Sequence, residues 1–158
     1  MFKLEERVSF WKEIKNKYNF HFIKREDLKD IKEKTKDNFL ILPSIFYLEY
    51  LEIIKKYFFG EIFSETLNLF YFIKRDVEII NDEIFKYELN PISQSIKIKV
   101  FNIHTKEMYE IEEKLFTPIG IVEFLQFNGF KVKEIAGDKL GSKIKESSRY
   151  LVVRFERS

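Results

Sequence analysis

Apolar positions along this 158-residue chain alternate between helical stripes and short continuous runs. Leu4, Val8, Trp11, Ile14 and Tyr18 follow i, i+4, i+7 spacing, which predicts an amphipathic helix over residues 2–18 with Trp11 on its core side. Phe20-His21-Phe22-Ile23 is a short β-prone run and Phe39 to Leu42 is apolar on consecutive positions, as suits interior strands of a sheet covered on both faces. Between them, Lys24 to Lys36 is polar except for Leu28 and Ile31. Pro43-Ser44 is expected to open a helix over 44–59, with Phe46, Tyr47, Tyr50, Leu51, Ile54, Tyr57 and Phe58 on its apolar side and Gly60 as its stop. A third run, Leu67 to Ile73, reads as a strand ending at Lys74-Arg75-Asp76. Helix, strand, helix and strand with short links make the βαβ grammar of an open α/β sheet.

The pattern changes after residue 80. Ser95 to Val100 alternates with period two, Asn102 to Glu107 is a turn, and Met108 to Leu115 returns, so an antiparallel hairpin is expected. Thr117 then suits an N-cap and Pro118 a first helical turn, with Ile121, Val122, Phe124 and Leu125 on the buried side. Asn128-Gly129 ends that helix. Phe130 to Ile135 and Tyr150 to Phe155 are the last two strands, joined by a loop containing Gly137, Asp138 and Gly141. No internal repeat or linker interrupts the chain, which reads as one domain over 1–158.

Composition narrows the class. A hydrophobic content of 45%, with 17% aromatic residues, excludes disorder. The apolar runs are far shorter than the ~20 residues of a membrane-spanning helix, and no signal peptide follows Met1. A soluble cytoplasmic protein is the expectation. With no cysteine there is no disulfide, thiolate nucleophile or cysteine-based metal site. Twenty-eight basic and 26 acidic residues are interspersed for a net charge of +2, which argues against nucleic acid as a partner. Two isolated histidines, His21 and His104, lack metal-ligand spacing.

Several segments together resemble a known family. Glu26-Asp27-Leu28 follows the first strand; Asn38 precedes Phe39 to Leu42; Arg75-Asp76 follows the third run. Tyr87 and Pro91 precede the hairpin, and Phe116-Thr117-Pro118, Leu125, Gly129-Phe130, Gly137-Asp138, Gly141 and Arg149 to Val153 follow it. This order resembles class I S-adenosylmethionine-dependent methyltransferases from their third strand onward. The resemblance implies an α/β fold: a partial Rossmann-like methyltransferase sheet without its first two strands, with a β-hairpin insertion at about 85–116 and an antiparallel last strand. It implies a cofactor side at Asp27, Leu28 and Ser44, and a substrate side at Arg75 and Asp76. It assigns no catalytic group and no metal.

The residues themselves offer a plainer account of each position. Asp27 suits a solvated loop, Ser44 a helix N-cap, and Arg75 with Asp76 a structural ion pair. The family's Gly-x-Gly loop, whose glycines let the backbone approach the cofactor, has no counterpart among the five glycines at 60, 120, 129, 137 and 141. Micromolar affinity needs about 8 kcal/mol of net binding, which Asp27 and Leu28 cannot supply alone. The chain by itself is therefore expected to bind S-adenosylmethionine weakly or not at all. Two functions follow: the C-terminal, substrate-side part of a split or truncated methyltransferase, or a non-catalytic binding or regulatory subunit on the same scaffold. Activity would require an N-terminal partner carrying the glycine loop. A sheet without its first strands would also leave an apolar edge, to be covered by that partner, by a second copy, or by helix 2–18.

Overall fold

The computed structural model describes residues 19–138 and 141–158; the helix expected over 2–18, with Trp11, lies outside them. The described residues form a mixed α/β structure around nine strands. Strands β1 (His21–Lys24), β2 (Phe39–Leu42) and β3 (Ile62–Asn68) run parallel. Antiparallel β9 (Tyr150–Arg157) lies on β3 from Ile62 to Leu67, and β8 (Phe130–Ala136) closes that side. Helix α1 (Leu48–Tyr57) links β2 to β3, and a 3₁₀ turn, Arg25–Asp30, follows β1.

β2 is apolar on consecutive positions because both its faces are covered. Ile41 joins the core under the helices with Leu51, Ile54, Leu125 and Leu151, while Leu40 and Leu42 point the other way, to Phe20, Phe63 and Val152. Aromatic edges lock the helix-side core, with Phe155 against Phe130 at 5.2 Å between centroids and Phe39 against Phe58 at 4.9 Å.

Three expectations are corrected. The helix over 44–59 begins only at Leu48, with Tyr47 at its N-cap and no side-chain cap. Ile45 and Phe46 are adjacent and both fully buried, which an extended entry segment allows and a surface helix does not. Ser44 is therefore not a cap. The third strand starts at Ile62, not Leu67, and Leu69–Phe72 is a single helical turn, α2. Polar Ser64, Glu65 and Thr66 hid the strand because the fold buries them on β3 instead of exposing them. Finally, the apolar β2 is no bare edge: β1 pairs along its whole length, from His21 opposite Phe39 to Lys24 opposite Leu42. Among the described residues, β1 pairs on that one side.

The inserted unit is larger than a hairpin. β4 (Val77–Ile80), β5 (Glu83–Asn90), β6 (Ser95–Asn102) and β7 (Met108–Phe116) form a four-stranded antiparallel meander, and β7 rejoins the main sheet parallel to β3 at Leu67 and Asn68. Phe85, Tyr87, Ile96, Ile98 and Val100 fill its inner face against Tyr71 and Phe72. Helix α3 (Pro118–Phe127) begins as expected, with the Thr117 hydroxyl accepting from the Gly120 N–H at 2.9 Å, and ends at Gly129, whose φ of +86° suits glycine. No helix among the described residues is long and apolar enough to cross a membrane.

Candidate functional site

Open parallel sheets place ligands beyond the carboxyl ends of their strands. Here that edge is formed by the ends of β1, β2 and β3, with β7 packed beside them. Because β2 and β3 pair only at Phe39–Ile62 and Leu40–Phe63, the two strands part toward this edge. The chain fills the opening with its own polar side chains. Arg25, one residue past β1, donates to the Ser44 carbonyl at 2.8 Å and lies 3.7 Å from Glu113 of β7. The Tyr47 hydroxyl donates to Glu113 at 3.0 Å and accepts from the Lys114 N–H at 3.2 Å. Burial first, and then the Glu113 charge, push the Tyr47 phenol up to about 12. The guanidinium of Arg25 also sits over the Tyr47 and Tyr50 rings, at 5.7 and 5.5 Å.

Beneath this layer the Ser44 hydroxyl donates to Thr66 Oγ1 at 3.3 Å, and Glu65 and Glu113 are both buried. The hollow lined by Ser44, Glu65, Thr66, Leu67, Glu113 and Tyr150 measures about 10 Å³. That is near the minimum for one water molecule, against roughly 300–1,000 Å³ for sites that hold organic ligands. Asn68, fully buried at the end of β3, donates to the Ser148 carbonyl at 2.8 Å and accepts from the Phe70 N–H at 3.2 Å, pinning the loop before β9 over the same edge.

A second cluster ties the meander to the sheet. Glu78 of β4 accepts from Tyr71 (2.9 and 2.8 Å), from Tyr87 (2.9 Å) and from Arg149 (3.0 Å). Arg149 also donates to the Tyr71 hydroxyl, and Arg75 to the Tyr71 carbonyl. Burial raises both phenols above the usual range, and the bonds to Glu78 add to the rise.

The residues named from sequence are scattered around this edge. Asp27 is exposed on the 3₁₀ turn, whereas Leu28 beside it is fully buried in the core. Ser44 stands in the filled opening. The Arg75 side chain lies 3.9 Å from Glu78 and 3.7 Å over the Tyr71 ring, and its partner is thus Glu78 and not Asp76. The exposed Asp76 contributes its carbonyl to the Tyr87 N–H at 2.8 Å. Sequence reasoning missed Arg25, Tyr47, Glu65, Thr66, Asn68 and Glu113. The available signal was polar residues interrupting apolar runs, at Ser64-Glu65-Thr66 above all. His21 and His104 are surface residues near Asp37 and Asp82, and no group of three or more metal-ligating side chains occurs among the described residues.

No known family profile matches the sequence, and no curated protein matches it. Its structure is similar to that of the CcbJ methyltransferase from Streptomyces caelestis, at 13% identity and a TM-score of 0.60, over 80% of this chain and 62% of that one. It is similar also to an S-adenosylmethionine-dependent methyltransferase from Clostridium acetobutylicum, at 9% identity and a TM-score of 0.60, over 81% of this chain and 60% of that one. The chain spans about three fifths of the length of each of these proteins. At such identities the likeness establishes the fold: this is a partial Rossmann-like methyltransferase sheet.

Proposed function

We propose that the chain is a methyltransferase-related protein, the C-terminal, substrate-side part of an S-adenosylmethionine-dependent methyltransferase assembly, inactive by itself. The observation that carries this reading is the filled carboxyl edge. Arg25, Ser44, Tyr47, Thr66 and Glu113 bond one another around a hollow of about 10 Å³ on a methyltransferase-like sheet. S-adenosylmethionine, a nucleoside with an amino-acid tail, does not fit there, and the 158 residues hold no Gly-x-Gly loop to cradle it elsewhere. Alone, the chain binds it weakly or not at all. A polypeptide supplying that loop would dock along the side of β1 that no described residue pairs with. In that assembly Asp27 is the exposed carboxylate on the cofactor side, Asp76 is the exposed one on the substrate side, and Ser44 sits between them. Leu28 acts by holding the Asp27 turn on the core. A cytoplasmic location accompanies this reading.

Calorimetric titration tests it. S-adenosylmethionine is injected into the purified chain, then into a mixture with a polypeptide carrying a strand and a Gly-x-Gly loop from the same genome. Heat only in the mixture is expected, reduced by Asp27→Asn. Low-micromolar binding by the chain alone would falsify the proposal.

A second reading, a non-catalytic binding or regulatory subunit, draws on the same edge, which the chain's own side chains fill. It expects a stable complex with a partner in which neither component, nor the mixture, binds the cofactor.

A further inference from the structure

The meander β4–β7 has two faces of opposite character. Its inner face carries Phe85, Ile98 and Val100 into the core. An antiparallel sheet covered on one side should be polar on the other. The outer face obeys this over most of its length and breaks it in one row. Ile79 stands opposite Ile84, Ile84 opposite Phe101, and Phe101 opposite Met108, so four apolar side chains cross all four strands in register. The end members, Ile79 and Met108, are 69% and 72% exposed.

The rest of that face is mostly polar and of mixed sign. Val77, Lys86, Lys99 and Glu110 form the next row, Glu88, Lys97 and Glu112 the one after, and Asn90, Ser95 and Lys114 the last, four lysines against three glutamates. Lys99 pairs with Glu88 at 3.1 Å and Lys97 with Glu110 at 3.7 Å. A strongly acidic or basic partner meets no complementary field here. A second copy of the same face meets a field of mixed sign and small net charge.

We propose that this outer face is where two copies of the chain associate, about a two-fold axis lying along the strands between β5 and β6. That operation lays Ile79 on the second copy's Met108 and Ile84 on the second copy's Phe101, each contact occurring twice as an isologous interface requires. It also brings Glu88 opposite the second copy's Lys97. Lys86 falls opposite the second copy's Lys99, and Glu88 lies beside both. Eight residues on each of β5 and β6 and four on each of β4 and β7, at ~4.8 Å spacing and ~3.4 Å rise, give an overlapping face of roughly 400 Å². Two such faces bury about 800 Å², below the ~1,000 Å² of a stable specific interface, so the dimer is weak and concentration-dependent. This inference is independent of any cofactor.

Sedimentation equilibrium or light scattering of the full chain from about 5 to 500 μM reads the association directly, the range in which an interface of this size dissociates. Dimer formation within that range is expected. Ile79→Lys and Met108→Lys should each weaken it at least about tenfold, since each buries a charge against apolar side chains. Ile92→Lys, at a 96% exposed position in the β5–β6 turn, should leave it unchanged. Because the altered positions are exposed, thermal melts of all three variants should match the parent and confirm folding. A parent chain that stays monomeric at the highest concentration overturns the proposal. So does a dimer indifferent to both substitutions, or a different polypeptide bound through Ile79 and Met108 to a monomeric chain.

Discussion

Replacing Glu78 by alanine removes the one carboxylate that Tyr71, Tyr87 and Arg149 share. Both phenols are nearly buried, at 7% and 5% exposure, so each loses a partner that water cannot replace in full. A buried donor left unsatisfied costs about 1–3 kcal/mol. The Arg149 and Arg75 side chains are 20% and 35% exposed, so solvent relieves part of the uncompensated charge and their share lies at the low end. The sum is about 3 kcal/mol, below a strict addition of the parts because the groups form one network. For a chain of this size each kcal/mol moves Tm by about 2–4 °C, so a loss of about 6–12 °C is expected. Urea titration with thermal melts gives both numbers. The cycle with Tyr87→Phe should show coupling of at least about 0.5 kcal/mol, as contacting groups do. Glu78→Ala costing less than about 1 kcal/mol, or a cycle with no coupling, would refute the view that this network fastens the meander to the sheet.

Three further outcomes are expected. Thr117→Ala removes the N-cap of α3 and should cost about 1 kcal/mol in urea titration. Gly60→Ala sets a Cβ 2.2 Å from the Asp37 carbonyl oxygen and 2.6 Å from that of Lys36, both backbone atoms, so about 1–3 kcal/mol should be lost to the forced shift. Ultraviolet titration of the eight tyrosines should leave Tyr47, Tyr71 and Tyr87 protonated after the exposed phenols have ionised. The sign follows from the raised folded values. Keeping the Tyr47 phenol neutral stabilises the fold fully below the ordinary value near ~10, and this contribution is lost as pH rises toward about 12. Stability should therefore fall above pH ~10, and Tyr47→Phe should flatten that fall.

The local pattern of residues determined more of the fold than of the site. A short β-prone run marked β1, a consecutive apolar run marked β2, period-two alternation marked β6 and β7, and Thr117-Pro118 with Gly129 marked both ends of α3. Each of these signals is carried by residues adjacent in sequence, whose spacing alone decides which face they present. The order of segments also carried the resemblance that the tertiary likeness upholds at the level of fold.

Tertiary structure decided the rest, because burial of polar groups depends on partners far along the chain. β3 is a strand with Ser64, Glu65, Thr66 and Asn68 inside it, which becomes stable only where Ile41, Ser44 and Ser148 supply hydrogen-bond partners. Arg25 and Glu113 are 88 positions apart and meet only because β7 runs back beside β3. Glu78 became the centre of a network through Arg149, 71 residues away. The sequence alone showed that no glycine loop stands among its residues. Only the packed sheet showed that the edge where a ligand would lie is filled by the chain's own side chains.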